Sequence, residues 1–103
     1  MISKEDWKVY QNRIVDWQEN YIEHLLDEYS LIIKEKSYPS KRFWRLINKI
    51  NKDKMHPGVR VTLSKKDAID QIVSLLLEEV ITIDDLKVFS SELQSEVKNR
   101  IRK

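Results

Sequence analysis

The chain has 103 residues, with 41% apolar and 35% charged side chains and a formal net charge of +2. That length suits one domain with a modest core and excludes a two-domain enzyme; the composition is too apolar for a disordered tail and too interrupted by charge for a membrane-spanning protein. With no cysteine, disulfides, thiolate catalysis and cysteine-ligated metal centres are excluded, and one glycine and two prolines leave little material for the tight turns of a sheet. The expectation is an all-α fold in a single helical domain, residues 1–103, of about four helices: a long N-terminal helix packed with three shorter ones.

Ser3 with Asp6 three residues on reads as a helix start. Trp7, Tyr10, Ile14, Trp17, Tyr21, Leu25, Tyr29 and Ile32 follow at gaps of three or four, predicting one helix from about residue 3 to about residue 36. Its length, roughly 50 Å, exceeds the span of a compact body whose radius of gyration is about 13 Å. Such a helix either bends near Asn20 or has a stretch without a partner in its own chain, and the second alternative implies a partner chain.

Pro39 biases Tyr38 away from helical dihedrals and suits a first helical turn, so a second helix should start there or just after Ser40. Its apolar positions are Phe43, Trp44, Leu46, Ile47 and Ile50, and it should end before the turn His56-Pro57-Gly58. Val59, Val61 and Leu63 then alternate with Arg60 and Thr62. A lone strand has nothing to pair with, so residues 57–63 are expected to be an extended linker laying three side chains on the core.

Ser64-Lys65-Lys66-Asp67 reads as a capping box opening a third helix, with Ala68, Ile69, Ile72, Val73, Leu75, Leu76 and Leu77, ending around Glu79 and broad enough in its apolar coverage to be the central one. Thr82-Ile83-Asp84-Asp85 repeats the box and should open a last helix carrying Leu86, Phe89, Leu93, Val97 and Ile101. Arg100, Arg102 and Lys103 would lie at its negative end.

Charge is unevenly divided. Residues 1–40 carry net −3, residues 41–66 net +8, and residues 67–103 net −3. The basic residues of the middle segment are Lys41, Arg42, Arg45, Lys49, Lys52, Lys54, Arg60, Lys65 and Lys66, of which Arg42, Arg45, Lys49 and Lys52 recur at helical spacing. Clustered positive potential of this kind binds polyanions by counterion release; the alternative is that it pairs with the acidic flanks inside the fold. Readout by a helix-turn-helix is disfavoured, because Asp84 and Asp85 would face phosphate at the start of the last helix.

Candidate chemistry is sparse. Asp53 and His56 could orient and shuttle a proton beside a turn, but no nucleophile motif accompanies them, and a histidine ahead of a proline is ordinarily a turn residue. Two histidines and scattered acids do not assemble a metal set at recognisable spacing, and one glycine builds no phosphate loop, so no cofactor is implied. The aromatic stripe Trp7, Tyr10, Ile14, Trp17 and Tyr21 is suited either to a core or to a protein interface.

The sequence therefore predicts a non-enzymatic, cytoplasmic helical protein that acts by binding another protein, with a homodimer formed through Trp7, Tyr10, Ile14, Trp17 and Tyr21. The alternative is sequence-nonspecific binding of nucleic acid or another polyanion through residues 41–66.

Overall fold

In the computed structural model, which describes residues 2–102, the N-terminal helix begins where its cap predicts. The Ser3 hydroxyl accepts from the Asp6 amide at 3.1 Å, and α1 then runs without interruption from Lys4 to Lys34. Nothing in those 31 residues breaks an α-helix, and at 1.5 Å per residue they span about 46 Å. The molecule is correspondingly elongated, 53 × 27 × 21 Å with a radius of gyration of 16.6 Å.

The remaining helices are α2 (Pro39–Asp53), α3 (Ala68–Leu77), a 3₁₀ turn (Ile83–Val88) and α4 (Ser91–Ile101). The fold is all-α, and no helix among the described residues is long and apolar enough to cross a membrane. Lys103 lies outside the described residues.

One stripe of α1 serves two different sets of neighbours along its length. Near its start, Tyr10, Ile14 and Trp17 are buried with Ala68, Ile69, Ile72 and Leu75 of α3, Leu86 of the 3₁₀ turn, Phe89, and Leu93 and Val97 of α4. This cluster is the body of the molecule, and α3 is its most buried helix, as its broad apolar coverage predicts. Farther along, Leu25 and Ile32 are buried too but stand outside that cluster, on the half of α1 that runs beside α2. This second region is a helical arm. The far half of α1 is covered on one side by α2.

Asp6 ties the two ends of the body together. Buried at 4% exposure, it accepts hydrogen bonds from the Ser90 amide, at 2.9 Å, and from the Ser90 hydroxyl, while Ser90 Oγ also caps α4 by accepting from the Leu93 amide. The last helix is consequently split. Thr82 and Asp85 do form the predicted capping box, but the box opens a 3₁₀ turn; Phe89 is extended, and α4 starts afresh at Ser90.

Two other local expectations are corrected. Ser64 does not cap α3: residues 65–67 form a turn closed by a bond from the Asp67 amide to the Ser64 carbonyl, and the helix begins only at Ala68. The linker is not extended throughout, because the amides of Val59 and Arg60 both bond the His56 carbonyl in a turn, leaving residues 61–64 without regular structure. Val61 packs on the core as expected, but Leu63 is 65% exposed.

The end of α3 is unusual. The Val80 amide reaches the Leu75 carbonyl at 2.8 Å and the Glu79 amide reaches that of Leu76 at 3.1 Å, with Glu79 at φ 60°. That is the left-handed helix stop in which glycine is usual. Here glutamate occupies it, and the sequence carries no glycine to announce the turn.

Candidate interaction surface on the helical arm

Arm and body meet at the turn around residues 56–60. Tyr21 stacks on His56, with ring centroids 4.6 Å apart and planes 17° from parallel. Gly58 is buried beneath the pair, and a Cβ there would come within 2.6 Å of the Tyr21 ring and 2.9 Å of Val80. His56 Nδ1 accepts from the Gly58 amide at 3.0 Å, and Nε2 lies 3.4 Å from a Glu78 oxygen. Gln18 donates to the Val59 carbonyl at 2.6 Å, and the Tyr10 hydroxyl to that of Thr62 at 2.9 Å. His56 is thus a turn-closing residue, and the linker is lashed to α1 by side chains rather than by a sheet.

Within the arm, α1 and α2 run antiparallel, and polar pairs line their contact beside the buried Leu25 and Ile32. Arg42 donates to the Ile33 and Ser37 carbonyls, satisfying acceptors at the end of α1 that no helical amide can reach. Arg45 pairs with Glu35; Lys49 lies 3.0 Å from Asp53 and 3.6 Å from Glu28. The Tyr29 hydroxyl donates to Asp53 at 2.8 Å. Burial pushes the Tyr29 phenol up to about 12, and its hydrogen bond to Asp53 adds to the shift. Burial alone would raise Asp53, but the hydrogen bonds from Tyr29 and Lys49 and the lysine's charge outweigh it and hold the carboxyl below its ordinary value.

The basic residues singled out by spacing are therefore divided. Arg42, Arg45 and Lys49 are engaged inside the arm, and Arg60 donates to the Lys54 carbonyl. Lys41, Lys52, Lys54, Lys65 and Lys66 are exposed and enter no ion pair among the described residues. The aromatic stripe is divided as well. Tyr10, Ile14 and Trp17 lie in the chain's own core, at 0%, 1% and 8% exposure, Trp7 stacks half-buried on Tyr10, and Tyr21 clamps the linker turn. The side chains that sequence assigns to a partner chain are occupied by the body itself.

What spacing did not single out is the outer side of the arm. No residue of α2 is buried, although its apolar positions fall on one face. Phe43 is 57% exposed and Trp44 61%, the two rings meeting edge to face at 5.4 Å, and Ile50 is also exposed. On α1, Leu26 and Ile33 are exposed and Ile22 is half-buried.

These side chains form one surface. At about 100° per residue, Ile22, Leu26 and Ile33 make one stripe of α1, and Phe43, Ile47 and Ile50 one stripe of α2. Each stripe is rotated about a quarter turn, in the same sense, from the line on which its helix meets the other. In an antiparallel pair such rotations place both stripes on the same side. The arm therefore presents a two-helix apolar face to solvent, and the polar α1–α2 seam explains why: basic side chains fill the groove where α2's apolar stripe would otherwise turn inward.

Comparison with protein-family models, with curated proteins and with solved structures finds no match for this chain.

Proposed function

We propose that this is a non-enzymatic protein that works by binding another protein surface through the apolar side of its helical arm. The observation that carries the reading is the exposure of Phe43, Trp44 and Ile50 on α2 beside Leu26 and Ile33 on α1, an apolar area on a part of the molecule that contributes nothing to the body's core. Contiguous exposed apolar patches of this kind mark interaction sites, and aromatic side chains are enriched in them. The body supplies the scaffold, and the rigid α1 presents the face at a distance from it.

Polyanion binding, the second reading, is weakened by the internal use of Arg42, Arg45 and Lys49. Its remaining candidates are Lys41, Lys52, Lys54, Lys65 and Lys66.

A photo-crosslinking amino acid placed in living cells at Phe43 or Ile33, with Lys98 on the body as control, tests the proposal. Discrete protein adducts from the arm positions alone are expected. Absence of protein adducts, or the same adducts from position 98, would overturn the reading; adducts to nucleic acid instead would favour the polyanion alternative.

A further inference from the structure

The end of the arm is apolar and cationic on every outward side. Leu31 and Ile33 of α1 are 72% and 52% exposed, and Tyr38, Phe43 and Trp44, at and just beyond the start of α2, are 80%, 57% and 61% exposed. At 1.5 Å per residue, all five lie within about 8 Å of the helix ends that make the tip. Lys34, Lys36 and Lys41 stand among them, exposed and in no ion pair among the described residues. Glu35, the one acid from residue 31 to residue 45, is taken by Arg45.

The directions of these side chains decide what fits. At about 100° per residue, Ile33, Lys34 and Leu31 follow one another around the outer half of α1, the first and last about 160° apart. Phe43, Trp44 and Lys41 do the same on α2, again with about 160° from first to last. Lys36 and Tyr38 belong to the connecting turn. Apolar side chains and cations thus form a collar around the tip, not a patch on one side. A folded protein meets one side of such a finger, whereas a fluid layer closes round it. A nucleic acid would use the cations and stack on the rings, but it has no use for Leu31 and Ile33.

We propose that the tip of the arm docks, end on, in the surface of an anionic lipid bilayer. The interfacial layer on each side of the hydrocarbon is roughly 5–7 Å deep, which matches the depth of the collar. Tyrosine and tryptophan concentrate in that layer, and lysines there bury their stems while keeping the ammonium among lipid phosphates. Anionic headgroups add roughly fivefold in binding per basic side chain, and residues 31–45 hold five of these against one acid, net +4. Farther back, α1 carries Asp16, Glu19, Glu23 and Asp27, exposed and in no ion pair among the described residues. The nearest of them is about 10 Å from the helix end, about one Debye length, so an anionic surface attracts the tip and not the length of α1. This docking goes beyond the protein-binding reading, and it leaves Ile22, Leu26, Ile47 and Ile50 of the apolar face outside the bilayer.

Flotation of the purified full chain with lipid vesicles tests the proposal. The wild type should float with phosphatidylcholine vesicles containing about one-third phosphatidylserine, and at least about tenfold less with phosphatidylcholine alone. Lys34→Glu, Lys36→Glu and Lys41→Glu in one protein should weaken binding at least about 100-fold. Leu31→Ser, Tyr38→Ser and Trp44→Ser together leave the charge unchanged and should weaken it at least about tenfold. Lys4→Glu, Lys8→Glu and Lys98→Glu on the body change net charge as much as the tip reversal does and should float as wild type. Circular dichroism checks folding; glutamine replaces glutamate, or Tyr38→Ser alone replaces the serine triple, wherever a variant does not fold. Brominated lipid should quench the tryptophan emission of the wild type but not of Trp44→Phe, because Trp17 is buried and Trp7 packs on the body. A wild type that does not float, a body variant that loses as much as the tip reversal, or a serine variant that floats undiminished would each overturn the proposal. Binding to labelled RNA or DNA without binding to vesicles would replace the bilayer by a nucleic acid. Protein adducts from Phe43 in cells with no vesicle binding would discard the bilayer and leave the protein-docking role standing; vesicle binding without protein adducts would do the reverse.

Discussion

The body and the arm are built on the same helix, with the same spacing of apolar residues, yet the body buries a core drawn from every one of its helices while the arm's second helix buries nothing. Tyr10, Ile72, Leu75, Leu86 and Val97 have no exposure, whereas no side chain of α2 is buried. The difference lies in what fills the groove between neighbouring helices. In the body it is aliphatic side chains from α3 and α4; in the arm Leu25 and Ile32 share it with Arg42, Lys49 and Asp53, whose partners are carbonyls, carboxylates and a phenol. An amphipathic pattern thus records that a helix has an apolar side, and the polar residues next to that side decide whether it turns inward.

The sharpest way to break this contrast is truncation. Leu75→Ala in the body should cost about 2–5 kcal/mol of unfolding free energy. Phe43→Ala and Ile50→Ala in the arm, measured by urea denaturation of dilute protein, should stay within about 1 kcal/mol, as exposed substitutions do. A large loss at Phe43 in dilute protein would mean that the arm is folded onto the body in solution.

The junction should be nearly as sensitive as the core. Gly58→Ala places a methyl group against Tyr21 and Val80, at separations that require one of them to move, and should cost about 1–3 kcal/mol. Tyr21→Ala in the same background should relieve part of that cost, and a strictly additive pair would remove the packing explanation.

A smaller effect of opposite sign is expected at the end of α3. Glu79 holds a left-handed conformation, and glycine adopts it without the penalty of roughly 1 kcal/mol. Glu79→Gly should therefore raise the urea midpoint of the body. No change, or a loss, would mean that the Glu79 side chain compensates for its backbone.

The smallest differences should come from pH. Asp53 has a folded value below its ordinary 3.8, so its contribution to the arm is complete above that pH and is lost as pH falls through the folded value. Tyr29, raised from 10.0 to about 12, stabilises the arm below pH 10, and that contribution is lost as pH rises through about 12. Tyr10 in the body is also pushed up to about 12, but by burial alone. Absorbance titration at alkaline pH should lose one late phenol in Tyr29→Phe and another in Tyr10→Phe; amide exchange in α2 should quicken in Tyr29→Phe only. Equal quickening in both variants would erase the distinction between the regions.

Much of this fold was legible in the sequence because its signals are local. Ser3 and the Thr82 box set helix starts through groups three residues apart and Pro39 through its own fixed backbone dihedral, and the long stripe of α1 needs no tertiary information. The failures are places where a distant residue decides. Asp6, 84 positions away, takes the Ser90 amide, and so divides a helix whose sequence shows no glycine or proline. At Ser64 a backbone turn closes before the helix can use the hydroxyl as a cap. At the candidate site, the basic spacing was visible but its direction was not: the same 3–4 spacing serves an outward patch or an inward seam, and Glu28 and Ile33 on α1, with Glu35 just past its end, chose the seam. Phe43, Trp44 and Ile50 were read as an apolar face without any sign that the chain would leave it uncovered.

Because the neighbours of α1 are set end to end along a single stripe, arm length is a variable the body does not constrain. Seven residues are close to two helical turns, so an insertion of that size in α1 beyond Tyr21, matched by one in α2, keeps each stripe nearly in phase and extends the hairpin by about 10 Å. Shortening both by the same amount retracts it. The architecture thus behaves as a boom of adjustable reach on a fixed base, with reach changing in steps of two turns.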